Sequence, residues 1–168
     1  GVLRAAAERA GWGQALPEGH AHGIACSTDV DTVVAQVAEI SLDEETGEIR
    51  VHKFVSAVDA GLFINPDGAT AQTQGSIIMG LSSTLIEEMT VADGRVQVTN
   101  FGEYPLITLD KAPEIEVILL ESDGEPRGMG EPPIGPVAAA VGNAFYALTG
   151  VRLRRLPFKP DVVKAALA

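Results

Sequence analysis

The sequence predicts an α+β fold in which a mixed, largely antiparallel sheet, built from β-hairpins, is covered by two main helices. Two runs rich in valine and isoleucine, 32–42 and 49–58, are separated by the polar turn Asp-Glu-Glu-Thr-Gly at 43–47, which is typical of a hairpin. Two longer stretches, 66–87 and 134–148, repeat apolar residues at helical spacing. The 168 residues, 46% of them hydrophobic, suffice for one domain with a substantial core.

Charge and cysteine content exclude several classes of function. The 23 acidic residues outnumber the 12 basic ones, and the net charge of −11 would repel nucleic-acid phosphates and anionic membrane surfaces. We therefore expect no nucleic-acid partner. The single cysteine, Cys26, allows neither an intrachain disulfide nor a cysteine-ligated iron–sulfur cluster within the chain. The sequence has no apolar run of about 18 residues, the length of a membrane span, so no such span is expected.

Shorter elements are predicted around these. Residues 2–11 form a helix that ends at Gly11, with four residues facing inward: Leu3, Ala6, Ala7 and Ala10. A second hairpin, between 87 and 98, turns at Asp93-Gly94. Residues 114–120 are typical of a strand, and residues 160–168 are typical of a short closing helix.

The three histidines, His20, His22 and His52, do not make a convincing metal site. Two of them lie two residues apart, without the cysteine or carboxylate pattern that usually completes a set of ligands. We therefore expect ordinary surface histidines and no metal ligand in this chain.

The helix predicted from Pro66 to about Glu87 has two different faces. Asn65 is a good N-cap, and Pro66 suits the first helical position. At about 100° per residue, one side collects Gln74, Ile77, Ile78, Leu81 and Leu85, and the other collects Gln72, Ser76, Gly80 and Ser83. The small side permits the close approach of another helix, or of a flat ligand that hydrogen-bonds the Gln72 amide. The pattern leaves both interpretations open.

A loop rich in glycine and proline, Gly-Met-Gly-Glu-Pro-Pro-Ile-Gly-Pro at 128–136, places Glu131 just before the second main helix. Its glycines permit a tight turn and its prolines restrict the backbone, so Glu131 should be held in one orientation. The positive end of the helix dipole would favour an ionised carboxylate, which suits a general base. An acidic residue that serves only the helix dipole is the competing interpretation.

This loop, with the strand before it and the apolar helix after it, resembles the C-terminal end of the molybdenum-binding large subunit of the xanthine dehydrogenase and aldehyde oxidase family, most nearly its isoquinoline 1-oxidoreductase type. Further matches follow in the same order: Ala-Gly-Trp at 10–12, Leu-Pro-x-Gly at 16–19, Gly-Ile-Ala at 23–25, Val-Asp-x-Gly at 58–61, Asn-Pro at 65–66 and Gln-x-x-Gly at 72–75. The resemblance implies that residues 1–168 are the C-terminal molybdopterin-binding lobe, a fragment of a larger subunit.

The resemblance also implies a reaction and a site. Enzymes of this family oxidise an aldehyde or an N-heterocyclic C–H bond with water-derived oxygen, and the glutamate at the position of Glu131 is the base that activates a metal-bound hydroxide. Gln72, Gly75 and Gly130 correspond to positions at the pterin cofactor. Gln74 competes with Gln72 for this role, but the helical count places it on the apolar face.

The cofactor implied by the resemblance is molybdenum-molybdopterin in its cytosine dinucleotide form, held by the complete enzyme and not by this chain alone. The implied partners are the remainder of the large subunit, an iron–sulfur small subunit and a small-molecule substrate.

Two other classes of function stay open at this point. The family's other metal-site loops lie upstream of the matched region, so a non-catalytic fragment or an assembly module that completes the site only with a partner chain is one alternative. A stand-alone binder of a small ligand through the Gln72 face is the other, and it would require a closed pocket within this chain. The sequence does not identify the substrate, the electron acceptor or the compartment.

Overall fold

The computed structural model describes residues 1–168 and contains four α-helices and six strands. In chain order they are α1 (Val2–Arg9), β1 (His20–Asp29), β2 (Thr32–Asp43), β3 (Glu48–Asp59), α2 (Pro66–Leu85), β4 (Val91–Ala92), β5 (Arg95–Val96), β6 (Glu114–Leu119), α3 (Val137–Thr149) and α4 (Pro160–Leu167). β1, β2 and β3 pair antiparallel, and β6 joins the edge of β3 in parallel. The predicted α+β fold with a mixed, largely antiparallel sheet is confirmed.

The sheet is covered on both faces. Its main core lies between one face and the helices α2 and α3, where the largest fully buried side chains include Phe54, Phe145 and Leu81. α1 covers the other face and packs against Ala35, Val37 and Ala57 through Val2 and Ala6. Leu3, which the sequence places inward, is 49% exposed, because the short helix meets the sheet along the Val2–Ala6 side instead.

α2 begins as the sequence predicts. The Asn65 side chain accepts a hydrogen bond from the backbone N–H of Gly68 at 3.0 Å, and Pro66 is the first helical residue. This cap satisfies one of the N–H groups that a helix leaves unpaired at its start. The helix ends at Leu85, two residues earlier than expected. None of the helices is both long enough and apolar enough to cross a membrane.

The second hairpin forms but does not join the sheet. Asp93 and Gly94 adopt φ of +51° and +72°, the left-handed conformation that a two-residue hairpin turn of type I′ requires. β4 and β5 pair only with each other, and their residues are exposed. The expectation that both hairpins build one sheet is therefore wrong for this one, whose two-residue strands present no face that the sheet could bury.

α3 lies directly on β1 because β1 has a glycine at the point of contact. A Cβ atom added to Gly23 would lie 2.1 Å from both the carbonyl oxygen of Ala140 and the backbone nitrogen of Ala144. The Asn143 side chain reinforces this contact by donating to the Ile24 carbonyl at 2.9 Å. The backbone of α3 therefore contacts the backbone of β1 directly, and this contact leaves no room for a side chain at Gly23.

The three histidines lie close to one another in the structure, although His52 is 30 residues from His22 in the sequence. His20 Nδ1 lies 2.7 Å from Glu39 Oε1, and the His20 and His52 rings stack with centroids 4.3 Å apart. His22 Nε2 is 4.0 Å from Glu39 Oε2, and His52 Nε2 is 2.8 Å from Ser41 Oγ. The structure has no group of three or more His, Cys, Asp or Glu side chains with the geometry of a metal site.

Gly23→Ala should destabilise the isolated chain by at least about 2 kcal/mol, because the new methyl group meets backbone atoms that can only move together with α3. Gly75→Ala is the matched control, since a Cβ there has no heavy atom within 4 Å. This control should leave stability unchanged or raise it by about 0.5–1 kcal/mol, as alanine favours the helix. Urea denaturation measures both. Wild-type stability of Gly23→Ala would contradict the contact of α3 with β1.

Acidification from pH 7 to pH 5 should destabilise the fold through the histidines. Burial lowers the pKa of His22, and burial and nearby His20 lower the pKa of His52, while Glu39 opposes both shifts. Below the unfolded pKa of about 6.5 the unfolded chain binds more protons than the folded one, so stability present above that pH is lost as pH falls.

Urea denaturation at several pH values tests this prediction on the variant His52→Gln, which should show a smaller loss between pH 7 and pH 5. Ser41→Ala removes the hydrogen-bond partner of His52 without removing a titratable group. It should therefore retain the wild-type slope. An unchanged slope in His52→Gln would exclude this residue as a source of the acid sensitivity.

Candidate functional site

Residues 128–136, called the Glu131 loop below, are attached to β2 by two fully buried side chains. Thr32 Oγ1 donates a hydrogen bond to the Gly128 carbonyl at 2.7 Å, and Gln36 Nε2 donates to the Pro133 carbonyl at 2.7 Å. Both residues lie on a strand that is held between two others. The two ends of the loop segment around Glu131 are thereby fixed to the most rigid part of the sheet.

Two hydroxyl groups hold the carbonyls on either side of Glu131. Ser76 Oγ, on α2, donates to the Gly130 carbonyl at 2.5 Å, and Ser27 Oγ, on β1, donates to the Pro132 carbonyl at 3.3 Å. The Glu131 carbonyl accepts a hydrogen bond from the Ile134 N–H at 2.8 Å. The backbone on both sides of Glu131 is therefore fixed by hydrogen bonds.

The side chain of Glu131, in contrast, is exposed, and its carboxylate makes no hydrogen bond or salt bridge in the structure. Apolar packing beneath the loop comes from Met129, which contacts the small cluster that contains Val34, Val58 and Phe63. A free carboxylate on an anchored backbone can accept a proton or a hydrogen bond from a group outside the chain.

The relation of Glu131 to α3 differs from the expected one. The helix begins at Val137 rather than Ile134, with Pro136 at the N-cap position, and residues 132–136 form turns. Proline lacks an N–H group and disfavours helical conformation in the residue before it, so the three prolines delay the helix. The helix dipole acts mainly within the first turn. Glu131 lies six residues before the first helical residue, rather than just before the helix as expected.

Gln72 lies beside the Glu131 loop. Its side chain is exposed on α2, one turn before Ser76, and a Cβ atom added to Gly130 would lie 3.4 Å from Gln72 Nε2. Gln74 points elsewhere, since its Nε2 lies 3.5 Å from the Ile115 carbonyl of β6. The structure therefore brings Gln72 together with the loop and turns Gln74 toward the sheet, as the helical count predicts.

The small face of α2 divides into a buried and an exposed part. Gly80 packs against α3, where an added Cβ would lie 2.8 Å from Val137 Cγ2, and Ser76 is buried beneath the loop. Packing against α3 therefore accounts for Gly80, and burial beneath the loop accounts for Ser76. Gly75 is exposed in the middle of the helix, and no heavy atom lies within 4 Å of the position of its missing Cβ. No contact within the chain requires glycine there.

Glu103, an acidic residue between β5 and β6, is hydrogen-bonded to neighbouring residues of its own loop. Its Oε2 accepts hydrogen bonds from the Thr99 N–H at 2.8 Å and the Thr99 hydroxyl at 3.0 Å, and these bonds lower the pKa of the carboxyl group. It is exposed on a loop. Glu103 thus has the features of a solvated loop carboxylate.

The main cavities of the chain lie away from the Gln72 face. The best-defined cavity, of about 220 Å³, lies between β3, the end of α2 and α4, and is lined by residues that include Ile49, Leu85 and Phe158. None of the five main surface cavities includes Gln72, Gly75, Gly130 or Glu131. The arrangement therefore suits a ligand bound between this face and a second surface, and gives no support to a stand-alone binder.

Three tethering residues were not identified from the sequence. Thr32, Gln36 and Ser27 bond to a loop about 100 residues away, a separation at which local patterns give no information. The sequence contained one signal that could have identified Gln36. It has the only side-chain amide in β2, a strand with apolar residues on both faces. A buried amide needs a partner, so such a residue indicates a polar group on another element.

Comparison with known proteins identifies one matching domain family and similar proteins of known name. Residues 14–113 match the molybdopterin cofactor-binding domain family. The isoquinoline 1-oxidoreductase subunit beta of Brevundimonas diminuta is 35% identical over 97% of this chain and 21% of its own length. The membrane-bound aldehyde dehydrogenase (pyrroloquinoline-quinone) of Gluconacetobacter polyoxogenes is 35% identical over 97% of this chain and 22% of its own length.

The fold is also similar to that of a solved enzyme. The crystal structure of quinoline 2-oxidoreductase from Pseudomonas putida 86 matches with a TM-score of 0.72 and 29% identity, covering 81% of this chain and 18% of that one. The chain therefore spans about a fifth of the length of these relatives.

The family match covers more than half of the chain, and the expected similarity to the isoquinoline 1-oxidoreductase type is confirmed. The exposed Gln72 amide, the open space at Gly75 and the unpaired Glu131 carboxylate fit a polar ligand that this face shares with a second surface. The chain belongs to the molybdopterin cofactor-binding domain family of xanthine dehydrogenase and aldehyde oxidoreductase large subunits.

Proposed function

We propose that residues 1–168 are the C-terminal molybdopterin-binding lobe of a molybdenum hydroxylase, which oxidises an aldehyde or an N-heterocyclic C–H bond with water-derived oxygen. The main support is the Glu131 carboxylate, which is exposed and unpaired on a backbone fixed from both sides. The names of the relatives, an isoquinoline oxidoreductase, a quinoline oxidoreductase and an aldehyde dehydrogenase, agree with this substrate class.

In this proposal Gln72, Gly75 and Gly130 hold the cofactor from one side. The Gln72 amide offers both a donor and an acceptor, and the missing side chain at Gly75 lets a flat group approach α2 closely. Because Gly130 has no side chain, the loop backbone leaves space beside the Gln72 side chain. The cofactor is molybdenum-molybdopterin in the cytosine dinucleotide form, and when bound it supplies two-electron redox chemistry. The remainder of the large subunit closes the other side of the site.

Glu131 is the general base of the proposed reaction. A carboxylate without an internal partner is free to accept a proton at Oε1 or Oε2, and its fixed backbone limits the directions from which it does so. Electrons then leave through an iron–sulfur small subunit, because the single cysteine of this chain cannot ligate a cluster. The substrate is a small molecule that reaches the exposed side of Glu131.

A second candidate function is an assembly or binding module without activity of its own. The observation that favours it is the openness of the site, which lacks the second wall of a pocket. Molybdenum content and native mass of the protein purified from its own host separate the two. Molybdenum in a large complex supports the hydroxylase, and a metal-free complex supports the module. Extracted pterin, rather than a quinone, would identify the cofactor.

Glu131→Gln in the complete enzyme should lower turnover by at least about 100-fold, because the amide cannot accept the proton. Molybdenum and pterin content should stay at the wild-type level, since the side chain makes no contact within the fold. Glu103→Gln, which changes another exposed loop carboxylate, is the matched control and should retain activity. Near-normal turnover of Glu131→Gln would remove this residue from the catalytic role.

Gly75→Ala should weaken cofactor retention in the complete enzyme. The methyl group occupies space that is empty in the isolated chain, so it meets only a group bound from outside. The expected result is a lower pterin-to-protein ratio after gel filtration, together with undiminished folding stability. Full retention of the cofactor would show that nothing approaches α2 closely at this position.

A further inference from the structure

The Ser76 hydroxyl lies between two carbonyl groups that belong to different parts of the site. Its Oγ is 2.9 Å from the Gln72 carbonyl and 2.5 Å from the Gly130 carbonyl, and Ser76 is only 2% exposed. A hydroxyl has one proton to donate. The Gln72 carbonyl already serves as the acceptor of the helical N–H four residues on, whereas the Gly130 carbonyl has no other partner in the structure. The proton therefore belongs to the bond with Gly130.

This bond fixes the peptide group between Gly130 and Glu131. Glycine has access to a wide range of backbone angles, so the peptide that follows it can rotate unless something holds it. The opposite side of Glu131 is already fixed by the Ile134 N–H. Ser76 thus supplies the second of the two constraints that determine the direction in which the Glu131 side chain leaves the backbone.

We propose that Ser76 is a positioning residue that sets the placement of the Glu131 carboxylate relative to the Gln72 side chain. Glu131 and Gln72 lie on different elements. The hydrogen bond from the Ser76 hydroxyl joins the turn of α2 that carries Gln72 to the peptide group between Gly130 and Glu131. This inference rests on the proposed role of Glu131 as the base. It assigns to Ser76 no contact with substrate or cofactor, because its hydroxyl is buried beneath the loop.

Ser76→Ala in the complete enzyme tests this role, and the chain contains a closely matched control. Ser82 lies on the same helix, is 3% exposed, and its hydroxyl accepts a hydrogen bond from the Ile107 N–H at 3.0 Å, away from the Glu131 loop. Like Ser76→Ala, Ser82→Ala therefore removes one buried hydroxyl oxygen. It also removes one hydrogen bond to a backbone group that is distant in the chain. The two variants should lose similar folding stability.

Only Ser76→Ala should affect the reaction. Misplacement of a catalytic group by about 1 Å lowers rates strongly, so kcat should fall on the order of 10-fold or more. KM and the molybdenum and pterin content should stay close to wild type. Ser82→Ala should show none of these changes.

Amide hydrogen exchange of the peptide that covers residues 128–136 gives a readout that does not depend on activity. It should become faster in Ser76→Ala and stay unchanged in Ser82→Ala. Equal kcat and equal exchange in the two variants would overturn the positioning role, as would a loss of activity that follows the loss of cofactor. Normal turnover in Glu131→Gln would instead overturn the proposed function, whatever the exchange of the loop shows.

Discussion

The hydrogen bonds that side chains donate to the carbonyl groups of the Glu131 loop are the constraint on which the site depends. The carbonyls of Gly128, Gly130, Pro132 and Pro133 have side-chain donors rather than backbone partners. Three of these donors, Thr32, Gln36 and Ser76, are among the few polar side chains in the interior. Three of the seven buried polar side chains of this fold thus serve to hold a single loop. Buried Gln36 Oε1 has no hydrogen-bond partner within the chain.

Loop composition explains why the donors have to come from elsewhere. Prolines have no N–H to offer, and they keep the neighbouring backbone from closing into a helix, so the loop can satisfy few of its own carbonyls. The surrounding elements are rigid for independent reasons. β2 is paired on both edges and covered on both faces, and α2 is packed against α3 through the close contact at Gly80. A loop that is anchored to such a scaffold can hold a functional group in place.

The sequence predicted what depends on local chemistry. The β2–β3 hairpin, the Asn65 cap and the Asp93-Gly94 turn each follow from residue types within a few positions. Prediction from the sequence failed for features that depend on contacts between distant parts of the chain. β6 joins β3 in parallel although 54 residues separate Asp59 from Glu114, and the buried tether of Gln36 joins residues 97 apart. The start of α3 was misplaced by three residues because apolar spacing continues through the prolines that prevent helix formation.

The face formed by Gln72, Gly75 and Glu131 differs from the rest of the surface in what the chain leaves incomplete there. Gly75 weakens a helix by about 1 kcal/mol without any internal contact that needs the missing side chain. Beside it, an exposed amide and an unpaired carboxylate stand on backbones held by buried donors. Folding of the isolated chain gains nothing from this combination. Such local departures from stability are expected mainly at functional sites. The stability that the core provides therefore allows this face to carry polar side chains that have no partner within the chain.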